Sequence, residues 1–148
     1  MRVSQSMTRN VEIVHPEDSI REAAALMAQL DIGSVPVAED DRLIGMLTDR
    51  DIAIRAVARG LGPDTAVRSV MSTDVKYCFE DQTIEDVTEN MANIQVRRLP
   101  VVDRDKRLVG IISLGDLALE EGTEEEAGKA LKGVSRPGGE HSQAGTQH

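Results

Sequence analysis

The chain has 148 residues, enough for one domain of ordinary size or two small half-domains sharing a core. Apolar residues make up 40% and charged residues 29%, but there is no Trp, one Tyr and one Phe, so the core must be aliphatic. The net charge of −9 is uneven: Glu120, Glu121, Glu124, Glu125 and Glu126 hold five of the 26 acidic residues, leaving 21 against 17 basic ones elsewhere. No basic face suits a phosphate backbone, which argues against nucleic acid as a partner. Cys78 is the only cysteine, so no intrachain disulfide forms and a reducing compartment is the simplest setting. No signal-like or membrane-spanning apolar run is present, so the expected location is the cytoplasm, without a membrane. His15, His141 and His148 are too scattered for metal ligation, and no metal site is expected.

The chain repeats itself. At a spacing of 64, Val3 matches Val67, Met7 matches Met71, Val11 matches Val75, Ile20 matches Ile84, Met27 matches Met91 and Pro36 matches Pro100. After one inserted residue the spacing becomes 65, and Gly45 matches Gly110, Thr48 matches Ser113 and Asp51 matches Asp116.

In chain order, "VEIV" is expected to be a short strand, as is "VKYCF" in the second copy. "SIREAAALMAQL" follows as a helix with Ile20, Ala23, Ala24 and Met27 on one face; its counterpart "TIEDVTENMANI" presents Ile84, Val87, Met91 and Ile94. Ser19 with Glu22, and Thr83 with Asp86, have the spacing of a capping box or its near variant. Two apolar runs come next in each copy, "SVPV" then "RLIGML" and "RLPVV" then "RLVGII", with "AEDD" and "DRDK" as the hairpin turns. A second helix is expected from near Asp51, ended by Gly60 and Pro63. The order is β-α-β-β-α, twice. The boundaries are 3–62 for the first repeat, 63–66 for a linker, 67–122 for the second repeat and 123–148 for an acidic, polar tail expected to be partly disordered.

"GMLTDRD" (45–51) and "GIISLGD" (110–116) carry the candidate chemistry. Ser/Thr-x-x-Asp spacing satisfies free N–H groups at a helix start, and this alone accounts for Thr48, Asp51, Ser113 and Asp116. A glycine inside a strand three residues earlier adds a second signal, since it weakens the strand unless something must approach the backbone closely. A strand end feeding a helix N-terminus also offers donors to a phosphate, and an acidic residue one turn on can accept from two ribose hydroxyls. Pro36 and Pro100 mark either strand edges protected from pairing or main chain left open to read a base. Tyr77 and Phe79 share one face of an expected strand and are assigned to the core. No nucleophile–base pair or phosphate-binding loop stands out, so neither an enzyme nor a required cofactor is expected.

With these residues in view, the chain resembles a tandem pair of cystathionine-β-synthase (CBS) domains, the Bateman module, over roughly residues 3–119. The likeness rests on "DIGSVPV", "DRLIGMLTDRDI", "QVRRLPVVD" and "RLVGIISLGDL" in their two-copy order. It implies an α/β (α+β) fold of two β-α-β-β-α repeats related by pseudo-two-fold symmetry. It further implies a binder of AMP, ATP, NAD or S-adenosylmethionine in a cleft between the repeats, commonly a homodimer, regulating a protein that this sequence does not identify. Asp51 and Asp116 would hold ribose, Thr48 and Ser113 would touch phosphate, and backbone near Met7, Met71, Val35 and Leu99, beside Pro36 and Pro100, would meet adenine. Arg97 and Arg98 replace Gly33 and Ser34 of the first copy, which predicts that one site prefers more phosphates than the other. The alternative reading is a ligand-free structural or stress-associated dimeric scaffold with degenerate sites.

Overall fold

The computed structural model describes residues 1–94 and 98–113. The expected second helix of the second repeat, the tail, Arg97 and Asp116 lie outside the described residues. The described elements are α1 (Ile20–Leu30), β1 (Ser34–Glu39), β2 (Arg42–Thr48), α2 (Asp49–Asp51), β3 (Cys78–Phe79), α3 (Ile84–Ile94), β4 (Arg98–Val102) and β5 (Leu108–Ser113). Among the described residues, no helix is long and apolar enough to cross a membrane.

α1 starts where the side chain of Ser19 accepts the N–H of Glu22 at 3.1 Å. It ends at Asp31, whose φ of 55° turns the chain left-handed while its N–H donates to the carbonyl of Met27. Ile20, Ala23 and Met27 are buried as expected, but Ala24 is exposed. Leu26, on the opposite edge of the stripe, packs partly buried against the core instead.

Each repeat contributes an antiparallel hairpin. β1 and β2 are joined by Asp40 and Asp41, both at positive φ (53° and 65°), the geometry that matches the twist of a two-residue hairpin. β4 and β5 are joined by a longer turn in which Oδ1 of Asp103 accepts the N–H groups of Asp105 and Arg107, both at 2.9 Å. Both hairpins slip register at the same place, between Val37 and Ala38 and between Val101 and Val102. The slip leaves one extra residue on β2 and β5 immediately before Gly45 and Gly110.

The leading strands are far shorter than the sequence suggests. "VEIV" contributes only Val14, which bridges Val37 in parallel, and "VKYCF" only β3. The prolines are the cause. Val14 donates to the carbonyl of Pro36 and accepts from the N–H of Ala38, both at 3.1 Å. The next pair back, at Glu12, would need an N–H from Pro36, which has none. Pro100 stops β3 in the same register. Both prolines therefore lie within paired strands, each limiting a parallel neighbour, rather than at sheet edges.

Residues Glu12–Val75 form one compact unit, and Met1–Val11 join the described residues from Lys76 onward in another. The leading segment of each copy thus packs with the body of the other copy, and the hydrogen bonds repeat. Val67 donates to the carbonyl of Asp18 at 2.8 Å, and Val3 to that of Gln82 at 2.9 Å. Ile20 donates to Thr65 at 2.9 Å, and Ile84 to Met1 at 3.0 Å. Each leading segment holds a short 3-10 turn, Val3–Gln5 or Val67–Ser69, before its methionine.

The cores are aliphatic, as composition requires. Val14, Ile20, Met27, Val35, Val37, Leu47, Val67 and Met71 pack in one unit; Val3, Met7, Cys78, Ile84, Val87, Met91, Leu99 and Ile112 pack in the other. Burial pushes the Cys78 thiol up to about 12. Tyr77 and Phe79 are not core residues. Strand alternation sends Cys78 inward and its neighbours outward, where the two rings meet edge to face and Arg104 lies 4.1 Å over Phe79.

Candidate functional site

The first motif lies wholly within the Glu12–Val75 unit. β2 ends at Thr48, which caps the following helix in both directions. Its Oγ1 accepts the N–H of Asp51 at 2.9 Å, and Oδ2 of Asp51 accepts the N–H of Thr48 at 3.0 Å. The helix therefore starts at Asp49, two residues before the expected position. It widens into a π turn over Ile52–Ala56, tightens over Val57–Arg59 and stops at Gly60, where φ is 77°.

Thr48 and Asp51 are almost wholly buried, at 2% and 4% exposure. Loss of hydration pushes the Asp51 carboxyl above its ordinary value, opposed by its hydrogen bonds with Thr48 and by the charge of Arg55. Oδ1 is not used in the cap and faces Arg55, with Nε at 3.8 Å.

Gly45 is explained by the chain itself. A Cβ there would stand 2.8 Å from Sδ of Met71 and 2.9 Å from the carbonyl oxygen of Ser72. Ser72 exchanges two hydrogen bonds with Met46, at 2.9 and 2.8 Å, as an extra rung beside β2. Gly110 is crowded in the same way by Met7 and by the carbonyl of Thr8, which pairs with Ile111. The close approach that the glycines signalled is thus made by each unit's exchanged leading segment.

The structure sorts the expected site residues into two groups. Val35, Pro36, Thr48, Asp51 and Met71 share the Glu12–Val75 unit, and Met7, Arg98, Leu99, Pro100 and Ser113 share the other. The methionines belong with the opposite copy's motif: Met71 packs with Val35 and Leu47, and Met7 with Leu99 and Ile112. Arg98 stands directly across from Ser113 in the β4–β5 register. Arg55 was missed; its position four residues after Asp51 was the available signal. Among the described residues, no group of three or more His, Cys, Asp or Glu side chains is placed to hold a metal.

Two hairpins of matching register, each with its glycine sealed by a segment from the other copy, define a tandem-repeat module. The CBS domain family model matches residues 3–57 and 67–121. The chain belongs to the CBS domain family and carries the domain twice. It is 47% identical over 133 residues to the CBS domain-containing protein YhcV of Bacillus subtilis, covering 90% of this chain and 94% of that protein. The crystal structure of Hypoxic Response Protein I with two coordinated zinc ions is 37% identical, with a TM-score of 0.71 over 80% of this chain and 97% of that one. CBSX2, solved in complex with AMP, is 26% identical, with a TM-score of 0.68 over 78% and 91%.

Proposed function

We propose that the protein is a stand-alone regulatory CBS pair, not an enzyme, that binds an adenosine nucleotide of the AMP, ATP, NAD or S-adenosylmethionine class and signals by altered packing in a homodimer or against a partner protein. The observation that carries this reading is Asp51: a buried carboxylate in the first helical turn after a strand, with one oxygen committed to the helix cap and the other, 3.8 Å from Nε of Arg55, left outside the cap as the acceptor for ribose hydroxyls. CBSX2, complexed with AMP, supports the ligand class. In the Glu12–Val75 unit, Asp51 takes ribose, Thr48 lies beside phosphate, and the main chain of Val35, Pro36 and Met71 meets adenine. Asp116, Ser113, Met7, Leu99 and Pro100 do the same for the second motif, with Arg97 and Arg98 favouring more phosphates. Loss of both arginines without loss of ATP affinity would remove that last assignment. Ile54, Val57 and Leu61 present exposed apolar side chains, which supports a role in association.

A scan of thermal stability with AMP, ADP, ATP, NAD and S-adenosylmethionine tests the reading. Ligand at 100 times its Kd adds about 2.7 kcal/mol, a rise of several degrees. That rise disappears in Asp51→Ala or Asp116→Ala according to which site is filled. The scaffold reading is favoured by one observation, that the cap and the packed glycines account for the motif without a ligand. A flat response from folded protein across the panel would establish it.

A further inference from the structure

Arg55 is half exposed, yet its guanidinium lies among three oxygens of the first motif. Nε is 3.8 Å from Oδ1 of Asp51, and Nη1 donates toward the carbonyls of Val70 at 3.4 Å and Met71 at 3.3 Å. Each distance is longer than a well-formed N–H···O bond, so the group is centred among its acceptors rather than fixed to one. Those acceptors belong to two separate stretches of chain. One is the helix start that holds Asp51; the other is the segment whose Met71 and Ser72 seal Gly45. A planar fork of donors reaches both stretches, whereas a lysine ammonium, a point charge, does not span them. Arg55 sits on the π turn, a wide turn of the kind found frequently at functional sites.

We propose that Arg55 is a positioning residue that clamps Asp51 to the Val70–Ser72 segment, holding the ribose-binding carboxylate and the backbone beside adenine in register before a ligand arrives. The proposal rests on the nucleotide reading of this unit. Its physical content is preorganisation: a site ordered in advance spends less of its binding free energy on ordering when ligand enters. Lysine keeps the charge beside Asp51 but loses the fork, so it replaces part of the function. Glutamine replaces neither.

The test uses AMP as the probe on the full chain, with Arg55→Gln and Arg55→Lys beside the wild type. Two quantities are read: AMP affinity, and amide exchange at Met46 and Ser72 without ligand. The expected result is a loss of affinity of about tenfold in Arg55→Gln, an intermediate value in Arg55→Lys, and faster exchange at both amides in the same order. Wild-type affinity in Arg55→Gln overturns the proposal and leaves the nucleotide reading standing. Lost affinity with unchanged exchange also overturns it, because Arg55 then acts on the ligand directly. A wild-type protein that takes up no AMP ends the proposal together with the AMP reading.

Discussion

Asp51 has two roles that can be separated by substitution. One oxygen completes the helix cap with Thr48, and the other is the acceptor that the proposed function gives to ribose. Thr48→Ala removes the cap hydroxyl and is expected to cost about 1 kcal/mol, lowering Tm by about 2 to 4 °C in a thermal melt; an unchanged Tm would mean that the cap contributes nothing. The charge is tested by pH. Because burial raises the Asp51 carboxyl above 3.8, the folded protein binds that proton more tightly than the unfolded chain does. Stability therefore falls as pH rises from 3.8 through the raised folded value and levels off above it. Asp51→Asn keeps an acceptor for the Thr48 N–H but does not titrate. The Tm of the wild type should thus drop relative to this variant as pH rises from about 4 toward 7, and a pH-independent difference would contradict the assignment.

At the scale of elements, the two hairpins owe their shape to the glycine and the bulge beside it. Gly45→Ala would press a methyl group against Met71, whose flexible side chain can yield, and against the Ser72 carbonyl, which is backbone and yields poorly. An overpacking cost of about 1 to 3 kcal/mol is expected in denaturant unfolding, and full stability in Gly45→Ala would show that the rung at Ser72 is not tightly closed. The helices and hairpins were legible in the sequence because their periods and turn residues are strong: Ser19, Ile20, Met27 and the Asp40–Asp41 turn all stand where pattern places them. The leading strands were not. β-branched content suggested four or five residues of pairing, and the limit came from Pro36 and Pro100, which are distant in sequence from the strands they shorten. Tyr77 and Phe79 do share one strand face, but alternation alone does not say which of the two faces meets the core, and here that face belongs to Cys78.

At the scale of the whole molecule, the repeat was legible but the exchange of leading segments was not, because contiguous copies and exchanged copies have the same spacing. The candidate site inherits that difficulty: Met71 was legible as a site residue, but its place beside Thr48 and Asp51 follows only from the fold. Val3→Ala, at a fully buried position, is expected to cost about 2 kcal/mol. Amide exchange should rise at Ile84 and Ile111 and stay near wild type at Ile20 and Met46; the opposite distribution would restore contiguous packing. The central claim concerns the capped strand end as a nucleotide site, and calorimetric titration of AMP into wild type and Asp51→Asn tests it most directly. Saturable binding that weakens in the folded Asp51→Asn protein is the predicted result. Heat identical in the two proteins, or none from the wild type, would contradict it and leave Asp51 as the second half of a helix cap.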